Sequence, residues 1–147
     1  TDNFNPSDKP DTWNLNGAVK ASLILGALVI LESFGLLYLV LYYFQVALSD
    51  PALYTLTFEI LFFSAIFLIF NVRERGHFWA SRPSKTLLYA VVLSLVTGIA
   101  IVTLGIPNLP AVPLTETLLI ISLSAVFSLI VNDTVKYFFA TKTKIRW

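Results

Sequence analysis

Apolar positions along this chain gather into four long runs, each broken by a short polar interval. The first run extends from about Ala21 to Phe44, with Glu32 as its only charge. The second, from about Leu53 to Val72, holds Glu59 alone, and the third, Leu87 to Ile106, has no charge. The fourth runs from about Thr115 to Val131 and is lengthened by Val135 to Ala140. A hydrocarbon core of about 30 Å takes about 20 apolar residues to cross as a helix, so each run predicts a transmembrane span. The expected architecture is an all-α, four-transmembrane-helix bundle with helices over about 19–44, 53–72, 86–106 and 115–139. A polar arm (1–18) precedes it and a basic tail (140–147) follows. No run reads as a signal peptide, because each is too long and the first follows a polar arm. Ser49-Asp50-Pro51 marks a turn, and Pro107, Pro110 and Pro113 bar any helix from passing through 105–113. The second interval, Arg73 to Lys85, carries Gly76 and Pro83. Connections this short favour antiparallel neighbours.

Composition narrows the function. Only 13% of the 147 residues are charged, against about 25% in soluble domains, so a soluble enzyme is excluded and disorder fails on the apolar excess. With no cysteine there is no disulfide or thiolate site, and the single His77 builds no metal cluster. No metal or cofactor is expected. A net charge of +1 argues against a nucleic-acid partner. The position of the charges is more informative. Lys9 and Lys20 precede the first span, and Arg73, Arg75, Arg82 and Lys85 follow the second. Lys136, Lys142, Lys144 and Arg146 lie at the end of the fourth, while the other two loops have no Lys or Arg. All ten positive charges thus fall on one side, which the positive-inside rule makes cytoplasmic. The expectation is a multi-pass protein of the cell membrane with both termini inside. Tyr42, Tyr43 and Tyr54 then belong to the outer interface, and Trp79, Tyr137 and Trp147 to the inner one.

Helices associate in lipid through small residues that let backbones approach. Ala18, Ser22 and Gly26 form one such stripe, and Ala90, Ser94 and Gly98 another. Ser124, Ser128 and Asn132 form a polar stripe on the fourth span. These read as packing seams; the sharper reading of the third is a polar transport path. Carboxylates within spans are functional candidates by default. Glu32 lies twelve residues beyond Lys20, about 18 Å along the helix and near mid-membrane. It serves either as a protonated or hydrogen-bonded helix contact or on an ion path, and a choice between a structural and an ion-path role stands for Glu59, nearer the outer boundary. Glu116 suits a helix N-terminus, and Asp133 is placed to pair with Lys136. His77 reads as a solvated or interfacial loop residue. No nucleotide-binding or nucleophile motif is present, and no catalytic residue is assigned.

The opening Thr1-Asp2-Asn3 with Ser7, Pro10 and Trp13 resembles the polar segment after the sixth helix of P-type cation pumps, closest to the plasma-membrane proton ATPases. Phe70-Asn71-Val72-Arg73 with Gly76-His77-Phe78-Trp79 resembles the loop between the eighth and ninth helices of those pumps. The resemblance spans essentially the whole chain and implies the seventh to tenth helices, a membrane support domain without catalysis in isolation. Phosphorylation, nucleotide binding and the main proton carboxylate lie upstream in such a pump, whose activity would be proton-transporting ATP hydrolysis. The implied partners are the bilayer, the upstream transport helices and the phosphorylation domain, which the polar arm could touch, with self-association if isolated. Glu59 is the carboxylate such a domain could lend to the ion site. The absence of methionine and the start at Thr1 fit a C-terminal fragment, an engineered version of one, or a processed chain. Two rival readings are a small self-standing ion transporter or channel subunit, and a membrane scaffold without a transport role.

The charge asymmetry has a direct test in this cysteine-free chain. Ala80→Cys should react with a membrane-impermeant maleimide from the cytoplasmic side only, and Asn108→Cys from the outer side only. The opposite pattern would reverse the orientation.

Overall fold

The computed structural model describes residues 15–45, 50–73 and 76–143. The polar arm's motif residues (Thr1, Asp2, Asn3, Ser7, Pro10 and Trp13) and Trp147 lie outside them. The elements in order are α1 (Leu15–Tyr42), α2 (Asp50–Arg73), α3 (Lys85–Leu104) and α4 (Leu114–Val126). A π-helical stretch, Phe127–Asn132, then joins α4 to α5 (Asp133–Thr143). Four helical segments are long and apolar enough to cross a membrane: Asn16–Tyr42, Pro51–Arg73, Lys85–Leu104 and Leu114–Phe139. The last combines α4, the π stretch and the first half of α5. The protein is an all-α, multi-pass membrane bundle of four spans.

The ends of the helices follow local chemistry. The first helix begins at Leu15, within the stretch expected as a polar arm, and ends at Tyr42. Beyond it the Leu39 carbonyl accepts from both Tyr43 N (2.9 Å) and Phe44 N (3.4 Å), and Gln45 turns to φ 50°, which stops the helix short of Phe44. Ser84 caps α3 by accepting from Leu87 N at 3.1 Å, satisfying one donor that the first turn leaves open. After α3, Gly105 takes φ 73°, and a Cβ there would lie 2.9 Å from Ala111 N. The chain then reverses through Pro107 and Asn108, with Ile106 and Leu109 exchanging backbone hydrogen bonds of 3.0 and 2.9 Å. Proline followed by an asparagine at φ 73° is the pairing that a type II turn requires.

The second helix is the centre of the bundle. Leu56, Ile60, Phe63, Ile66 and Phe67 all belong to it, whereas α1 gives Leu36 and Val40, α3 gives Val91 and α4 gives Ile120 to the same core. Positions 56, 60, 63 and 67 recur at helical spacing and make one continuous apolar face. The third helix approaches through Gly98, where an added Cβ would come within 2.5 Å of the Phe62 ring and 3.2 Å of Phe63. Of its stripe, Gly98 is buried, Ser94 half-buried and Ala90 exposed. The stripe of α1 lies differently. Ser22 and Gly26 are exposed, Ala18 is half-buried, and nothing among the described residues lies within 4 Å of a Cβ built on Gly26. Among the described residues the α1 stripe is therefore not a seam; in that half of α1 the buried hydrophobic positions are Ala21 and Leu25 beside it.

Gly98→Val should force α3 away from Phe62 and lower stability in mild detergent by about 1–3 kcal/mol, the usual cost of overpacking. The same change at Gly26 should leave the unfolding midpoint unaltered, because it meets open space. Equal losses at both sites would contradict the packing described.

Candidate functional site

The fourth span presents its polar residues to α2. Thr117, Ser124, Ser128, Asn132, Asp133 and Lys136 are all buried, as are Thr55, Glu59, Ser64 and Asn71 on α2 and Glu32 on α1. Together they form a polar seam along the interior of the bundle. In a bilayer such groups must find partners within the protein.

At the end nearest the α3–α4 loop Thr55 Oγ1 donates to the Pro110 carbonyl (2.9 Å), tying α2 to the reversing loop. Thr117 Oγ1 donates to Glu59 Oε1 at 2.7 Å. Glu59 Oε2 has no partner among the described residues although the side chain is fully buried. Midway, Glu32 is held from two helices: Ser64 Oγ donates to Oε1 (2.9 Å) and Asn132 Nδ2 donates to Oε2. Further along, Asn71 Nδ2 donates to the Ser128 backbone carbonyl at 2.6 Å. The Ser128 carbonyl it binds lies within the π stretch, a widened turn of the kind found inside α-helices.

That widening has a geometric effect. At 3.6 residues per turn, positions four apart drift by roughly 40° around a helix, so Ile120 to Asn132 would drift by about 120°. Opening the ladder between Phe127 and Asn132 removes much of that drift, and Ile120, Ser124, Ser128 and Asn132 stay on the buried face. The four-residue spacing of the polar stripe is thus matched by the kind of helix that carries it.

At the end nearest the α2–α3 loop the seam becomes charged. Asp133 Oδ1 accepts from Lys136 Nζ (2.9 Å) and from Phe78 N (2.9 Å), and its Oδ2 lies 2.7 Å from His77 Nδ1. Lys136 Nζ also donates to the Asn71 carbonyl at 3.1 Å. His77 is not a free loop histidine. Its ring stacks between Trp79 and Tyr137, with centroids 4.4 and 4.2 Å away, and is 32% exposed. Arg73 closes the same loop, donating from Nη1 to Ser81 Oγ (2.9 Å) and from Nη2 to the Ser81 carbonyl (2.6 Å).

The sequence candidates therefore separate. Glu32 and Asn132 meet directly; Glu59 is more than a turn away from Ser64 on α2 and binds another part of the fourth span. Ser128 contributes its backbone carbonyl, while the hydroxyls of Ser124 and Ser128 and Asn71 Oδ1 are buried without partners among the described residues. Ser64, Asn71 and Thr117 were not singled out as site residues. Their signal was polarity within otherwise apolar spans, but small polar residues are common on helix faces and only contact identifies these three. Among the described residues no group of three or more His, Cys, Asp or Glu could hold a metal ion.

The Asp133–Lys136 pair generates a sharp expectation. Removing one partner leaves a buried charge and typically costs 3–5 kcal/mol, so Lys136→Met should destabilise the bundle by about that much on denaturation in mild detergent. Adding Asp133→Asn to it should recover part of the loss. A double variant no more stable than Lys136→Met would show that the pairing is not what matters.

The model of one family, described as cation transporting ATPase, C-terminus, matches residues 5–138. No curated protein and no solved structure matches the chain. The family match extends across all four spans and includes the loop holding His77 and Arg73. The chain accordingly belongs to the C-terminal domain family of P-type cation-transporting ATPases.

Proposed function

We propose that this domain is the membrane support of a P-type pump, of the proton-pumping branch, holding the transport helices in register without catalysis of its own. The observation that carries this reading is the contrast between its two kinds of surface. Inside, the polar groups of three helices are cross-tied to one another, and the core centres on α2. Outside, α1 leaves Leu23, Ile30, Leu31, Phe34 and Tyr38 exposed beside the open stripe at Ser22 and Gly26. A rigid bundle with an open small-residue stripe suits docking of further helices, since close backbone approach drives helix association in lipid. The cytoplasmic orientation of both termini rests on the positive charges, and contact between the polar arm and a phosphorylation domain rests on the resemblance. Glu59, fully buried with one oxygen lacking a hydrogen-bond partner among the described residues, is the carboxylate best placed to be lent to a neighbouring ion site.

Co-expression tests the support role. The chain, tagged and produced separately from the upstream membrane helices of its pump, should co-purify with them in mild detergent. Replacing Gly26 by Leu should reduce the recovered complex while leaving the isolated bundle folded. Upstream helices that are stable and active without the chain would contradict the reading.

A further inference from the structure

Glu32 stands apart from every other carboxylate in the described bundle. Both of its oxygens accept hydrogen bonds, and both donors are neutral: the Ser64 hydroxyl on α2 and the Asn132 amide in the π stretch. The carboxyl is buried in the interior of a transmembrane span, where an ionised group is strongly disfavoured unless compensated. No cation compensates it among the described residues. On α5 the nearest charges are Asp133 and Lys136, which bond to each other, with His77 of the loop on the far side of Asp133. On α2 the titratable residues are Asp50 and Tyr54 near its start, Glu59, bound to Thr117, and Arg73, bound to Ser81. Glu116 lies in the first turn of α4, and on α1 itself Lys20 is twelve residues away.

The two donors have a property in common that Lys or Arg would lack: each can reverse its role. A primary amide donates through Nδ2 to a carboxylate and, turned over, accepts through Oδ1 from a carboxylic acid. A hydroxyl does likewise by rotation. The site can therefore satisfy Glu32 with and without a proton, with no helix movement. Three or four oxygens at most could face a metal cation here, too few for the six or more that a hard cation prefers.

From this geometry we propose that Glu32, Ser64 and Asn132 form a reversible proton-binding site between α1, α2 and the π stretch. A proton adds to one carboxylate oxygen, Oε2, and no other bond is made or broken. The new O–H donates to the turned Asn132 amide, and Ser64 continues to donate to Oε1. The widened helix is what makes the site: it holds Asn132 on the buried face opposite Glu32. The inference goes beyond the support role and stands independently of it, because it concerns contacts within the chain alone.

Infrared difference spectroscopy tests it on the full chain in lipid vesicles, comparing acid and alkaline buffers. A protonated-carboxyl C=O band should appear on acidification, vanish in Glu32→Gln, and persist in Glu59→Gln. Ser64→Ala, which removes the hydrogen bond to the carbonyl oxygen Oε1, should raise its frequency, and Asn132→Leu, which removes the acceptor of the new O–H, should shift it as well, with the helical amide band unchanged in each. A titrating band that survives Glu32→Gln would overturn the proposal. So would the absence of any titrating band in the wild-type chain, or a band that ignores Asn132→Leu. If Glu32→Gln fails to fold, as judged by circular dichroism, the frequency shift in Asn132→Leu decides the matter. Failure of co-purification with upstream helices would leave these spectra unaffected, so the two readings fail separately.

Discussion

A polar side chain within a bilayer has no water to turn to, and the whole arrangement of this bundle follows from that constraint. The polar groups of α2 and the fourth span can be buried only if they meet one another. Apolar contacts do not set that register, because lipid tails are as apolar as leucine and a helix gains little by exchanging one for the other. The bonds from Asn71 to the Ser128 carbonyl, from Thr117 to Glu59 and from Thr55 to the Pro110 carbonyl do set it. The first two ties, at two depths, fix the height and rotation of the fourth span against α2, and the third holds the loop that leads into it. Glu32 then fastens α1 to both.

The π stretch belongs to the same logic. A regular α-helix would carry Asn132 away from the face that holds Ser124, and Glu32 would lose one of its two donors. Widening the ladder keeps the residues aligned and also brings Asp133 and Lys136 inward, so that a buried ion pair meets His77 and the Phe78 amide at the loop end. The loop is thereby fastened to the fourth span. Of the residues that looked like a family signature, Asn71 and His77 are parts of that fastening, and Arg73 closes the loop on itself.

Much of the fold was legible from hydrophobicity alone, because a span is a long apolar run and little else. The four spans, the proline-rich reversal after α3 and the polar character of the Ser124–Ser128–Asn132 stripe could all be read from the residues. Three features could not. Helix type is invisible to residue pattern, since Phe127 to Asn132 contains nothing that forbids a regular α-helix. The direction in which a small-residue stripe points was also hidden: Gly26 and Gly98 look alike in sequence, yet one faces outward and the other meets Phe62. His77 looked like an ordinary interfacial residue because its partners, Asp133 and Tyr137, are more than fifty positions away. Glu32 was recognisable as a deep carboxylate, but its bonds to Ser64 and Asn132 depend on contacts across three helices.

Cysteine cross-linking in this cysteine-free chain tests the central claim, that polar contacts between α2 and the fourth span fix their register. Asn71→Cys would be combined in turn with Ser124→Cys, Ser128→Cys and Val131→Cys, and each pair oxidised in membranes. The account predicts cross-linking most readily with Ser128→Cys, less with Ser124→Cys one turn away, and least with the outward-facing Val131→Cys. A maximum at Val131, or equal yields at all three, would contradict it.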